Sequence, residues 1–357
     1  MKMTKQVRCG DVLIGGGAPI SIQSMTNVDS RDEKGLNYQI CELTSVGCEI
    51  VRVAVPDMES AEVFARLKQG MAKHIPLVAD IHFDYRLAIA AIEAGADKVR
   101  INPGNIGSIE NLTKVVKSAK EHDIPIRVGV NSGSLEKEIL EKYGRVTAQG
   151  LAESALDNLR VIENLGYDKL VVSIKSSDPK MNFDAHKILA EKTDHPIHIG
   201  ITEAGTPETG RLKSAVGMGA LLLEGIGDTM RVSLTADPVE EVLFAKELLR
   251  TCGLRKTGID FVSCPTCGRT KVNLRALAEE AQERLKPLSE KLAAEDRSLK
   301  VAVMGCAVNG PGEAREADFG ICGGDGRGLI FSRGEIVETT DENKLVDELV
   351  KLIEENI

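Results

Sequence analysis

Short apolar, β-branched runs alternate with amphipathic segments along most of this chain, and that alternation limits the possible folds more than any other feature. The strand-like runs are Ile20–Gln23, Ile50–Val55, Pro76–Asp80, Lys98–Ile101, Pro125–Val130, Lys169–Ile174, Pro196–Ile201 and Ala220–Ile226. Each is continuously apolar rather than alternating, as expected where both faces of a parallel sheet are covered. Helical patterns lie between them at Ser60–Lys73, Tyr85–Ala94, Ile109–Glu121, Ala148–Asn164 and Lys187–Glu191, and a last one at Pro238–Leu249 after the Asp237-Pro238 start. Eight strand–helix units in about 250 residues have the size and rhythm of a (β/α)8 TIM-type barrel. A doubly wound open sheet is the alternative. The even count and the lack of a Gly-x-Gly-x-x-Gly turn after the first strand count against it.

Past Cys252 the rhythm changes. Gly258–Ser263 and Lys300–Met304 read as strands, with a helix at Val272–Leu285 between them. Gly-rich turns follow, then a hairpin of Gly328–Phe331 and Glu335–Thr339 around Arg333-Gly334, and a closing helix at Asp341–Glu355. The expected division is a barrel over residues 1–252 and a smaller α+β domain over 253–357.

Composition narrows the function. The 357 residues carry a formal net charge of −9, which argues against a nucleic-acid binder. Aromatic residues are only 3% and Trp is absent, so neither base-stacking platforms nor membrane aromatic belts are supported. No run reaches the roughly 18 apolar residues of a membrane span, and the charged N-terminus does not read as a targeting segment. A cytoplasmic protein is expected. There its eight Cys stay reduced, and clustered ones read as metal ligands or catalysts.

The sharpest local signal is Cys264-Pro265-Thr266-Cys267-Gly268. A Cys-x-x-Cys turn presents two thiolates to one metal centre, whether structural zinc, a redox pair or part of an iron–sulfur site. The next Cys, Cys306, opens a Gly- and Pro-rich stretch that ends at Glu313. Small residues there let a bulky cluster approach the backbone. Cys322 would complete a four-thiolate zinc site. Glu313 would instead give three thiolates and one weaker, more exchangeable carboxylate, which is a catalytic arrangement. Cys9, Cys41, Cys48 and Cys252 lack paired spacing, and burial as free thiols accounts for them.

In the barrel, polar residues stand toward the C-terminal ends of apolar strands, where such enzymes place their sites. They are Arg52, Arg100, Arg127 with Asn131, Lys175 ending the sixth strand, Glu203 ending the seventh, and Arg231 and Ser233 after the eighth. Cations inside apolar strands need anionic partners. These are either internal acids such as Asp80 and Glu203, or a polyphosphate ligand gripped by Arg and Lys. Asp80-Ile81-His82 reads as a hydrogen-bonding pair more than a metal site, and His198 as a barrel-packing residue.

Together these segments resemble a known family. Gln23-Ser24-Met25-Thr26-Asn27, Arg100 to Asn105, Arg127 to Gly133, Cys264 to Gly268 and Gly305 to Glu313 occur in the order found in 4-hydroxy-3-methylbut-2-enyl diphosphate synthases of the short bacterial form. The resemblance implies a homodimer with shared active sites and a [4Fe–4S] cluster. It implies the cyclic diphosphate 2-C-methyl-D-erythritol 2,4-cyclodiphosphate as substrate, and flavodoxin or ferredoxin as electron donor. Carried over by position, the cluster ligands are Cys264, Cys267, Cys306 and Glu313. The diphosphate-binding residues are Arg52, Arg100, Arg127, Asn131, Lys175 and Ser233. The catalytic acid of the barrel is Glu203, and Glu313 is the ligand that yields. Two other classes fit parts of the pattern: a phosphosugar aldolase or isomerase with structural zinc, using Lys175 as a Schiff-base nucleophile, and a non-catalytic iron–sulfur electron carrier.

Overall fold

The computed structural model describes residues 3–256, 258–295, 297–306, 314–324 and 326–357. Its contacts divide the chain into two units, Met1–Leu254 and Arg255–Ile357.

In the first unit a short antiparallel hairpin, β1 (Val7–Cys9) and β2 (Val12–Ile14), precedes eight parallel strands. These are β3 (Ser21–Met25), β4 (Ile50–Ala54), β5 (Leu77–Asp80), β6 (Lys98–Ile101), β7 (Ile126–Asn131), β8 (Leu170–Lys175), β9 (His198–Ile199) and β10 (Thr229–Met230). Helices α1 (Glu33–Ser45), α2 (Met58–Gln69), α3 (Tyr85–Glu93), α4 (Ile109–Glu121), α5 (Lys137–Tyr143), α6 (Ala148–Asn164), α7 (Pro179–Lys192), α8 (Pro207–Leu223) and α9 (Pro238–Thr251) connect them. The sheet runs β8-β7-β6-β5-β4-β3-β10-β9. A parallel bridge between Val172 and Ile197 ties its two ends together, so the sheet closes as a barrel. Helix starts follow their caps. Asp57 accepts the Ser60 N–H at the head of α2, and Asp237 accepts the Val239 N–H with Pro238 in the first turn of α9.

The hairpin has a definite task. Val7, Cys9 and Ile14 pack against Ile50, Val78 and Val171, which lie at the starts of β4, β5 and β8. Each such side chain contributes roughly 1.5–3 kcal/mol on full burial. The N-terminal end of the barrel is thereby sealed with apolar surface, and ligand access is left to the opposite end.

Three expectations need correction. Ala220–Ile226 is not the eighth strand: it is the end of α8 and the turn after it. Its Ala and Leu residues favour helix, and the Thr206-Pro207 start sets the helix going. Gly217 of α8 lies so close to the barrel that a Cβ there would come within 2.7 Å of Ile201, so the small residues serve helix–sheet approach. The eighth strand is the two-residue β10. Second, Phe319–Cys322, within the stretch read as Gly-rich turns, is a buried strand. Third, Cys41 is exposed rather than buried. Helix α1 buries Leu36, Gln39, Ile40 and Leu43, and position 41 falls on its outer face.

The second unit is a five-stranded sheet in sequential order: β11 (Gly258–Ser263), β12 (Ser298–Met304), β13 (Phe319–Cys322), β14 (Arg327–Ser332) and β15 (Glu335–Asp341). The first three strands are parallel and the last two antiparallel. Helices α10 (Leu274–Ala294) and α11 (Leu345–Glu355) cover it through a core that includes Leu285, Val301, Ile321, Leu349 and Ile353. No helix among the described residues is long and apolar enough to cross a membrane.

Candidate functional site

Barrel interiors are normally filled by branched apolar side chains. This one is filled by charge. Among the described residues the buried Lys, Arg, Asp and Glu side chains are Lys98, Arg100, Arg127 and Lys175 on the cationic side and Asp80 and Glu241 on the anionic side. Arg52 and Arg231, each mostly buried, add two more cations. Six cations therefore face two carboxylates inside one barrel.

The two carboxylates hold part of that charge. Asp80 ends β5, accepts from Arg100 Nη1 at 3.4 Å and lies 3.9 Å from Arg52 Nε. His82 Nε2 is 3.2 Å from its other side, so the Asp-x-His pair makes the hydrogen bond expected of it. Burial alone would raise the Asp80 pKa; Arg52, the His82 contact, Arg100 and Arg127 outweigh it and hold the carboxyl well below the ordinary range. Glu241 reaches in from α9. It accepts from Ser24 Oγ at 3.0 Å, Arg231 Nε at 3.3 Å and the Leu234 N–H at 3.0 Å. It thus fixes the segment that carries Arg231 and Ser233. Sequence reading missed Glu241, because nothing in the Glu240-Glu241 pair of an amphipathic helix marks one of them as turned inward.

Among the described residues the remaining cations make no salt bridge with a carboxylate. Arg127 is the second residue of β7, deeper than a strand-end reading places it, and stands in register with Arg100. It is 1% exposed, and its Nε and Nη1 have no hydrogen-bond partner among the described residues. Lys98 Nζ at the start of β6 is likewise without one. Burial and the neighbouring Arg52 and Arg100 push the Arg127 pKa well down. Burial and Arg52, Arg127, Arg231 and Arg100 do the same to Lys175. Burial lowers Arg52 to about 10 even with Asp80 beside it, and Lys98 falls to about 8. His198 is buried with both ring nitrogens unpartnered, and burial and the cations keep it neutral. Such a set is poised for an anion, which would bring the compensating charge from outside.

Two glycines make room for these side chains. A Cβ on Gly129 of β7 would lie 2.9 Å from Arg100 Nε. One on Gly200 would lie 2.7 Å from the Arg231 carbonyl and 3.2 Å from Lys175 Nζ. Asn131 ends β7 in register with Lys175, and Ser233 is partly exposed after β10. Glu203 follows β9, exposed, with φ +50°. That left-handed conformation is costly for a residue with a Cβ and typical of functional turns. Among the described residues its carboxylate pairs with none of the barrel cations, so the internal salt bridge considered for Glu203 is not made.

In the second unit the thiols gather at the C-terminal ends of two neighbouring strands. Cys264 follows β11, and Gly305-Cys306 follows β12, with Ser263 and Val303 in register. The Gly305 N–H donates to Cys264 Sγ at 3.2 Å. A Cβ on Gly305 would lie 2.9 Å from Thr270, so the turn fits only without one. Cys267 is exposed; the Arg269 N–H beside its sulfur is the main cause of a lowered thiol pKa. Cys322 differs. It is fully buried on β13 among Ala302, Met304 and Phe331, and burial pushes its pKa up to about 12. Among the described residues no three ligand-type side chains are drawn together closely enough to hold a metal ion. Glu313 lies outside the described residues. The donor chemistry nonetheless fits an iron–sulfur cluster: soft thiols, one of them acidified, an amide aimed at a sulfur, and a neighbouring backbone kept free of side chains.

Comparison with known proteins agrees with this anatomy. Residues 4–246 match the GcpE TIM-barrel domain and residues 260–355 the GcpE protein C-terminal domain. The chain is 54% identical over 354 residues to the 4-hydroxy-3-methylbut-2-en-1-yl diphosphate synthase (flavodoxin) of Clostridium perfringens, covering 99% of both chains. It is 53% identical over 351 residues to the protein of that name from Geobacter sulfurreducens, covering 98% of this chain and 97% of the relative. Among solved structures, dihydropteroate synthase from Stenotrophomonas maltophilia superposes with a TM-score of 0.51 at 13% identity, covering 70% of this chain and 98% of that one. The Burkholderia cenocepacia enzyme gives 0.50 at 12%, covering 71% and 100%. These last two likenesses show the fold alone. The two domain matches and the full-length relatives place this chain in the GcpE family.

Proposed function

We propose that the chain converts 2-C-methyl-D-erythritol 2,4-cyclodiphosphate to (E)-4-hydroxy-3-methylbut-2-enyl diphosphate. The reaction consumes two electrons and two protons, opens the ring and releases water. The observation that carries this reading is the excess of buried, carboxylate-free cations in the barrel. A diphosphate supplies the missing negative charge. Arg52, Arg100, Arg127 and Lys175 grip it, with Asn131 and Ser233 as neutral hydrogen-bonding partners. A [4Fe–4S] cluster held by Cys264, Cys267, Cys306 and Glu313 would supply the electrons and a Lewis-acidic iron. Glu313 would be the most exchangeable of these ligands, since a carboxylate binds soft iron more weakly than a thiolate.

Glu203 holds the proton delivered as the C–O bond breaks. Its unpaired carboxyl supports that role over a structural one. Glu203→Gln is expected to keep cluster and substrate binding and to lose about 100-fold or more in turnover. Near-normal turnover would leave the proton donor elsewhere.

The electron donor is a flavodoxin- or ferredoxin-type protein, and the active enzyme is a cytoplasmic homodimer in which each site draws on both chains. Mixing Cys306→Ser with Arg127→Ala subunits is expected to restore activity from two inactive parents. No recovery from proven heterodimers would put each site on one chain. The overall test is anaerobic: enzyme replete with iron and sulfide, given a reduced donor, must consume the cyclic diphosphate. A cluster-replete enzyme that leaves it untouched would overturn the reading.

A further inference from the structure

Between Asp260 and Glu279 the chain has three cations, Arg269, Lys271 and Arg275, and no carboxylate. This is the segment that holds Cys264 and Cys267, in a chain whose net charge is −9. Ser263, Pro265, Thr266, Cys267, Gly268 and Arg269 are exposed or nearly so, as are Lys271 and Arg275. Lys271 makes no ion pair among the described residues. Among the described residues Arg275 pairs only with Glu279 on the surface of α10, both largely solvent-exposed, a contact that contributes little. The backbone beneath is fixed: the Cys267 N–H donates to Thr270 Oγ1 at 3.1 Å, and the Lys271 N–H to the Gly305 carbonyl at 3.2 Å. The positive charge thus stands on the ordered loop that carries Cys267, the most exposed of the second unit's described thiols, and on the first turn of α10 that follows it.

We infer that Arg269, Lys271 and Arg275 form the docking patch for the electron donor, and that the donor is a small protein presenting a carboxylate-rich face. This rests on the proposed function and says where its electrons enter. Electron-transfer complexes are small and transient, and complementary charge sets their encounter rate and orientation more than buried area does. A patch at the exposed Cys267 brings the donor's redox group to the shortest path into the cluster without burying an extensive surface.

The test uses the cluster-replete enzyme carrying Lys271→Glu together with Arg275→Glu. Neither side chain belongs to the cluster or to the substrate site. Titration with an oxidised, acidic flavodoxin at low salt, followed by calorimetry, is expected to give a Kd at least tenfold weaker than for the parent. Raising the salt should weaken the parent complex and leave the variant nearly unchanged. Turnover driven by a reduced viologen should stay at the parent level, and the charge-conserving Lys271→Arg with Arg275→Lys should keep donor binding. A variant Kd within twofold of the parent at low salt would overturn the assignment. So would an equal loss in viologen-driven turnover, or an equal loss in the charge-conserving variant. If the parent itself fails to turn over the cyclic diphosphate with viologen, the proposed function fails instead, and the flavodoxin titration still judges the patch.

Discussion

Arg127 shows how far a single residue type can be read from sequence and where reading stops. An Arg inside an apolar run demands an anion, and that much is visible in Arg127-Val128-Gly129-Val130. Depth and pairing are not visible, because they depend on which strands become neighbours. The structure places Arg127 in register with Arg100, and among the described residues it forms no salt bridge, although Asp80 still acts on it through space. A buried guanidinium with unpartnered nitrogens destabilises the free protein while favouring anion binding. Arg127→Met, which fills similar space without charge, is therefore expected to raise unfolding stability by about 1 kcal/mol or more. It should weaken binding of the cyclic diphosphate by about 2 kcal/mol or more, with the cluster's visible spectrum unchanged. Thermal denaturation and substrate titration measure the two effects separately. A variant that loses stability and keeps affinity would mean that Arg127 is a structural residue.

At the scale of the element, the strands that read correctly are those whose β-branched runs are long enough to have no helical alternative, such as Lys98–Ile101 and Leu170–Lys175. The eighth strand failed because only Thr229 and Met230 make ladder contacts, while the apolar run before them is helical. The ninth and tenth strands are short because the chain there turns from sheet to site almost at once, through Gly200 and Arg231. Gly200 is the element's specific contribution. Its backbone needs no unusual φ, but a Cβ there would come within 2.7 Å of the Arg231 carbonyl and 3.2 Å of Lys175 Nζ, so Ala crowds both the neighbouring backbone and the lysine. Gly200→Ala is expected to raise KM for the cyclic diphosphate at least tenfold, with a stability loss of about 1–3 kcal/mol, since the tightest crowding falls on the Arg231 backbone. An unchanged KM would show that Lys175 does not need that position.

Across the whole molecule, the two units put two kinds of chemistry on one chain. The first gathers excess positive charge in a barrel sealed at one end by its N-terminal hairpin. The second brings thiols to the ends of adjacent parallel strands. Their division near Leu254 is legible in the change of rhythm after Cys252. The cysteine spacing was equally legible, yet it left Cys322 and Glu313 as rival fourth ligands. Spacing alone does not distinguish a thiol facing a loop from one facing a core. Cys322 is a buried residue of β13 with Cys264 packed at the edge of the same apolar cluster, and burial pushes its thiol pKa up to about 12. The proposed function depends on an iron–sulfur cluster in this second unit, on Cys264, Cys267, Cys306 and Glu313. The most direct measurement is iron and sulfide content after anaerobic purification. About four of each per chain are expected in the parent, the same content in Cys322→Ser, and its loss in Cys306→Ser. Zinc in place of iron, or iron lost from Cys322→Ser and kept in Cys306→Ser, would contradict it.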